Sequence, residues 1–406
     1  MNKENRGGWR LRLAIHRMVC TSAVWIVLGG TAHAQSSVTL YGVADAGLSY
    51  TSNAGGAPQY AMTTGNENGT RWGMRGSEDL GGGLKAIFDL EGGYDITNGK
   101  LFQNGDEFGR NAYVGFESSY GTLTLGRQYT SSSNIVGPFI AGGNWAAGGA
   151  GYGAHPGDVD NLDAFNEIDN AVQFQSNSYG GFTFGGDYSF GGKAGSFAQN
   201  QVYDIVAAYT HGGFAAAVGY TYAKNPNFSF NGNEANSSTT GTNFFSAITG
   251  GYASAGSQQI VAAGASYNLG PATLGVEYSN VRFNNLGATS VAGLSATEAA
   301  YRGSASFNVG EVNLKYYVTP SLMVGTAYSY THDSGASGSS GAHYNQFDLG
   351  AVYSLSRATS LYLMGFYQAA SGTNSEGVAA VAEIAGASTS ASNRQTVVTA
   401  GILHKF

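Results

Sequence analysis

The sequence predicts an all-β fold: a sixteen-stranded antiparallel transmembrane β-barrel, with short turns at one end and long loops at the other. Three observations predict it. Apolar residues recur with a period of two, not the ~3.6 of a helix. No stretch after residue 35 reaches the ~18 consecutive apolar residues that a spanning helix needs. Short turns alternate with long polar links along the whole chain.

The amino terminus reads separately. Lys3, Arg6, Arg10, Arg12 and Arg17 make a basic start, an apolar stretch runs from Met18 to Gly30, and Ala32-His33-Ala34 forms an A-x-A cleavage site. That order is a secretory signal's, and its apolar part is too short to span a bilayer. Residues 1–34 are expected to be removed, leaving 35–406 as the barrel. Cys20, the sole cysteine, would leave with the leader, so no disulfide framework or thiolate metal site is expected. Loss of five basic residues and Glu4 leaves 14 basic and 25 acidic residues, moving the net charge from −7 to −11.

The strands follow from alternation. Leu84, Ala86, Phe88 and Leu90 oppose Lys85, Asp89 and Glu91; Phe214, Ala216, Val218, Tyr220 and Tyr222 oppose Ala215, Ala217, Gly219 and Thr221. Leu274, Val276 and Tyr278 oppose Thr273, Gly275, Glu277 and Ser279; Leu322, Val324, Tyr328 and Tyr330 oppose Gly325, Ala327 and Ser329. Seven short turns (79–82, 119–121, 179–181, 212–213, 268–271, 319–320 and 357–359) alternate with eight long links (51–65, 96–107, 131–167, 191–200, 225–257, 284–308, 332–344 and 371–393). Fifteen connections join sixteen strands, and an even count puts both chain ends on the short-turn side. Residues 301–308 read equally as strand or loop end, and a separate strand there would spoil the even count.

Composition agrees. The chain holds 63 Gly, 26 Tyr and 21 Phe but only 19 basic and 26 acidic residues. A soluble sandwich would need large side chains on its inner face, whereas the second face here is Gly, Ala, Ser and Thr plus charges. A water-filled lumen tolerates that. Tyrosines near strand ends suit the interfacial girdles of a membrane barrel. The acidic balance excludes a broad nucleic-acid-binding face.

Four stretches resemble the general, trimeric Gram-negative porins of the β-proteobacterial branch. They are Ser37-Val38-Thr39-Leu40-Tyr41-Gly42-Val43-Ala44-Asp45-Ala46-Gly47, the run from Arg71-Trp72-Gly73-Met74-Arg75-Gly76 to Leu84-Lys85-Ala86, the run from Phe108-Gly109-Arg110 through Tyr113-Val114-Gly115 to Leu125-Gly126-Arg127, and the closing Gly401-Ile402-Leu403-His404-Lys405-Phe406. The resemblance covers residues 35–406. It implies an outer-membrane location, a homotrimer, and a third long loop, 131–167, folded inward to narrow a passive channel for small hydrophilic solutes and ions. Outer-membrane lipid, lipopolysaccharide and the barrel-assembly machinery are the further partners, with Phe406 as the assembly signal. No cofactor, metal or nucleic acid is expected.

Within that frame the constriction is expected to set an acidic loop (Asp158, Asp160, Asp163 and Glu167) against a basic wall (Arg71, Arg75, Lys85, Arg110 and Arg127). Arg71 and Arg75 share a face, opposite Trp72 and Met74, and a charge facing lipid costs about 2–4 kcal/mol at mid-membrane. Arg110 and Arg127 rest on the resemblance, since Leu123 and Leu125 share Arg127's parity. Asp158-x-Asp160 has a calcium-like spacing, but no Gly-x5-Glu continuation follows. Glu167-Ile168-Asp169 stands where relatives often carry a basic residue, which argues against strong anion preference. No G-x-S-x-G or H-E-x-x-H motif points to an enzyme. A surface adhesin or antigen is the alternative, motivated by loops 225–257 and 371–393.

Overall fold

The computed structural model describes residues 37–231 and 241–406. The expected leader, and part of the 225–257 link, lie outside them. One sheet contains seventeen strand segments, each hydrogen-bonded to its neighbours in chain order except that β2 and β3 both pair with β1, and β1 (Ser37–Ala54) pairs antiparallel with β17 (Arg394–Lys405) to close the ring.

The segments number seventeen because one wall strand is interrupted. β2 (Ala57–Thr64) lies against Ala46–Ala54 of β1, and β3 (Arg71–Gly81) lies against Ser37–Val43 of the same strand. Together they form a single wall position, so the barrel has sixteen. The 51–65 link is thereby corrected. β1 runs on and reverses at Gly55 and Gly56, both with positive φ (64° and 107°), as a two-residue hairpin turn requires. The irregular part falls instead at 65–70.

The wall continues as β4 (Leu84–Gly93), β5 (Asn111–Ser118), β6 (Gly121–Gln128), β7 (Ile168–Ser176), β8 (Phe182–Ser189), β9 (Val202–His211) and β10 (Phe214–Lys224). Then come β11 (Ser257–Leu269), β12 (Ala272–Leu286), β13 (Gly303–Thr319), β14 (Leu322–Asp333), β15 (Ala342–Ser354) and β16 (Thr359–Gly372). Residues 303–308 are strand but continuous with 309–319, so the even count survives. At about 3.3 Å per residue β13 is roughly 55 Å long, well beyond the ~35 Å needed to cross a 25 Å apolar band at 45°. This part of the wall stands clear of the membrane.

The two faces separate as the alternation requires. Val114, Phe116, Ile205, Val218, Leu274, Val276, Leu349 and Leu363 are exposed on the outside. On the inside Asp187, Asp204, Glu277, Glu311, Gln346 and Asp348 are buried. Three apolar clusters fill space inside the wall, two of them built largely from loop 131–167 and the strands beneath it.

Closure extends to the last residue. The Gly42 N–H donates to the Phe406 carbonyl at 3.0 Å, and the Phe406 N–H donates back at 3.1 Å. A Cβ on Gly42 would stand 2.4 Å from the Phe406 ring and 2.7 Å from the Arg71 carbonyl oxygen. Gly42→Val is therefore expected to destabilise the barrel by about 1–3 kcal/mol. In heat-modifiability gels it should unfold at lower temperature than wild type. Gly310→Ala, whose new Cβ meets nothing nearer than 4.0 Å, should not.

Candidate functional site

The wall half of the site is built on β3, β4 and the start of β5. Odd-numbered residues of β4 face inward, so Glu91 projects between Arg71, diagonally across in β3, and Arg110, just before β5. Glu91 is ion-paired with Arg71 Nε at 3.2 Å and accepts from Arg110 Nε at 2.6 Å. Its side chain is 8% exposed, against 20% and 23% for the two arginines. Arg110 also lies 5.5 Å from the Tyr129 ring centre. Arg75 stands opposite Asp89 in the β3–β4 register and over the Tyr41 ring, whose hydroxyl donates to Asp89 at 2.7 Å.

The break at 65–70 completes this wall. Asp45, fully buried, accepts the backbone N–H groups of Glu67 (2.7 Å) and Asn68 (3.0 Å) and the Tyr362 hydroxyl (2.6 Å). The held segment gives Arg71 Nη1 two acceptors, Asn68 Oδ1 at 2.7 Å and the Gly69 carbonyl at 2.8 Å. It also meets the loop, since a Cβ on Gly149 would stand 2.0 Å from the Gly65 carbonyl.

The loop half is fastened to the opposite wall. α1 (Ser131–Ile135) starts it, with Ser131 N–H donating to Asp187 at 2.8 Å and Ser132 N–H to Asp204 at 3.0 Å. Farther on, Ala141 N–H donates to Glu311 at 2.7 Å, Asn313 to the Phe139 carbonyl at 2.8 Å, and Gln346 to the Tyr152 carbonyl at 2.9 Å. Trp145, 4% exposed, seats on two wall glycines, for a Cβ on Gly325 or Gly350 would meet its ring at 2.6 and 2.9 Å. These polar wall residues were invisible as anchors in sequence. Their only signal was a lone carboxylate or amide at an inward-facing strand position.

The acidic loop residues do not form an open charged rim. Asp158 is buried and accepts the N–H groups of Asp163 and Phe165, both at 3.0 Å, so it shapes the loop's own turn. Asp160 is buried against His155 Nδ1 (2.7 Å) and Ser279 (2.5 Å). Burial, with the Asp160 charge adding, pushes the Asp158 carboxyl up to about 7. Burial and the Asp158 charge hold Asp163 well above the ordinary carboxylate range. Burial opposes both charges of the His155–Asp160 pair, but their mutual attraction and hydrogen bonds outweigh it, raising His155 and lowering Asp160. Of the loop carboxyls, Asp163 lines the polar space that Arg110, Tyr129, Asn134, Asn144 and Glu67 also border.

Two basic positions depart from the expected wall. Arg127 is 10% exposed and committed to Glu167 (3.2 Å), Asp169 (2.6 Å) and the Gly109 carbonyl (2.6 Å), so Arg127 and Glu167 form a buried pair instead of facing charges. Lys85 pairs with Glu117 at 2.9 Å in a half-exposed setting. It lies eight residues down β4 from Gly93, the register partner of Arg71, which is roughly 26 Å away. It belongs to the short-turn end. Local parity located its face, but its height followed from the β3–β4 turn.

A family model described as Gram-negative porin matches residues 21–374. An outer membrane porin protein of Bordetella pertussis is 39% identical over 194 residues, spanning 43% of this chain and 48% of that protein, so the match covers about half of that relative. Outer membrane porin protein 32 of Delftia acidovorans is 29% identical over 94% of this chain and 97% of its own length. The solved structure described as an anion-selective porin from Comamonas acidovorans superposes with a TM-score of 0.69 at 23% identity, covering 92% of this chain and all of that one.

The Trp145 seat is testable by fluorescence, since Trp72 and Trp145 are the tryptophans beyond residue 34. In a Trp72→Phe background, Gly350→Leu should shift the Trp145 emission to longer wavelength and expose loop 131–167 to protease. A cost of about 1–3 kcal/mol is expected from overpacking the seat.

Proposed function

Because this chain belongs to the Gram-negative porin family of the outer membrane, we propose that it is a passive diffusion channel for small hydrophilic solutes and ions. The observation that carries this reading is the polar space between Arg110, Tyr129 and Glu67 on one side and Asn134, Asn144 and Asp163 of the loop on the other. Solutes traverse such a space without a bond being made or broken, sorted by width and by the field of its lining.

The sign of that field is modestly positive. Arg71 and Arg110 share one carboxylate, Glu91, which leaves one unit of positive charge in excess at that triad, while burial holds the two carboxyls that border the space, Glu67 and Asp163, above their ordinary range. The facing loop has turned Asp158 and Asp160 into its own packing. The anion selectivity ascribed to the Comamonas acidovorans porin is in keeping with this. Glu167 and Asp169, which cancel Arg127, argue for a weak preference. The proposal includes cleavage after Ala34, assembly as a homotrimer, and Phe406 as the signal read by the assembly machinery. Imperfect alternation in 108–130 supports a face covered by a neighbouring copy.

A unit charge acting over about 5 Å of water is worth about 0.8 kcal/mol, or about fourfold in a permeability ratio. Glu91→Gln is expected to shift the salt-gradient reversal potential toward anions by that order, and Arg110→Gln toward cations. Reversal potentials unchanged in both variants would reject this lining as the selective element. Absence of any conductance from the purified wild-type barrel in planar bilayers would reject the channel itself.

A further inference from the structure

The tip of loop 131–167 carries a cluster that neither the loop anchors nor the polar space explains. His155 is fully buried, and its Nε2 has no hydrogen-bond partner. Facing it are Glu277 from β12 and Glu311 from β13, 5% and 3% exposed. Neither carboxylate oxygen of Glu277 has a partner, nor does Oε2 of Glu311. The other Glu311 oxygen is occupied by Ala141 N–H and Asn313, both at 2.7 Å. Asp348, on β15, adds another buried carboxylate with an unpartnered oxygen.

We propose that His155 Nε2, Glu277 and Glu311 form a site for a divalent transition-metal ion of the zinc class, strapping the loop tip to the barrel wall. Their spacing fits. His155 Nε2 lies 3.3 Å from Glu311 Oε2 and 3.8 Å from Glu277 Oε2. Metal–ligand bonds of about 2.0–2.1 Å in a tetrahedron put ligand atoms about 3.3–3.4 Å apart. Two edges of such a polyhedron are thus roughly met, and a bound dication would displace the proton that His155 Nε2 otherwise directs toward Glu311.

The imidazole is also oriented for this role. Its Nδ1 meets Asp160 Oδ2 at 2.7 Å, and Ser279 fixes the same oxygen at 2.5 Å. A carboxylate accepting the far N–H of a ligating histidine holds the ring and leaves the other nitrogen free to bind metal. Asp160 is therefore a positioning residue. An imidazole among the donors and a three-ligand set disfavour calcium and magnesium, which take six or more oxygens. Charge points the same way, because Asp160, Glu277, Glu311 and Asp348 crowd a dry site around a single histidine. Buried carboxylates without compensation are costly, and a dication supplies it. Protons shared among the carboxyls are the competing compensation.

The site stands apart from the transport reading, and its test reads metal, not conductance. Full-length barrel is refolded in detergent with zinc, dialysed, and its metal content measured by mass spectrometry. About one zinc per chain is expected in wild type, and at least tenfold less in His155→Asn and in Glu277→Gln. Refolding with cobalt(II) gives a readout on wild type alone, the visible absorption of a tetrahedral cobalt centre, so the test survives if the variants do not fold. Zinc in wild type no higher than in folded His155→Asn, or no such cobalt band in wild type, would overturn the site in favour of shared protons.

Discussion

Backbone groups in a lipid environment have no water to bond, so a sheet that crosses the membrane is stable only without an edge. Everything else in this molecule is arranged around that constraint. β1 alone pairs with three segments: β17 on one side, β2 and β3 in succession on the other. The carboxy-terminal Phe406 completes the seam by exchanging two hydrogen bonds with Gly42. Where the ladder does break, at 65–70, Asp45, held by the Tyr362 hydroxyl, takes up backbone donors from inside the barrel, beside the folded loop. The irregular backbone is thus confined to protein surroundings.

Once closed, the barrel has an interior wide enough to need filling. Loop 131–167 fills much of it, and this changes the meaning of the small-residue face. Gly219, Gly264, Gly325 and Gly350 are seats: an added Cβ would strike Ser132, Phe139 and, for the last two, Trp145. The inward face is small because it is packed against the loop as well as because parts of it are wet. Bulky side chains arrive from the loop instead of from the wall. Packing and polar anchoring then act together, since loop backbone N–H groups are met by Asp187, Asp204 and Glu311 projecting from otherwise small-faced strands.

The same arrangement decides the electrostatics. Most of the buried carboxylates named above accept loop backbone N–H groups, neutralise an arginine, or join the cluster around His155. Few are left to face the open space, so sign separation in sequence overstates the field across it. Arg127 and Glu167 illustrate this, being opposite in sign and on opposite sides of the expected constriction, yet bonded to each other.

Residues two apart on a strand share a face whatever the rest of the chain does, so the period, the strand number, the tight turns and the inward parity of Arg71, Arg75 and Lys85 were all legible locally. The 301–308 ambiguity was legible too, as a question of strand length. What parity cannot supply is height along the wall and partner across the lumen. Lys85 fell out of the site because of its distance from the turn, and Asp158 and Asp160 because the loop turned them toward its own backbone and His155. Glu91, Asp45, Glu277 and Glu311 lie 19, 317, 122 and 156 residues from Arg110, Tyr362, His155 and His155 respectively. Pairing of the adjacent strands β4 and β5 brings the first pair together, and closure of the barrel and infolding of the loop bring the other three.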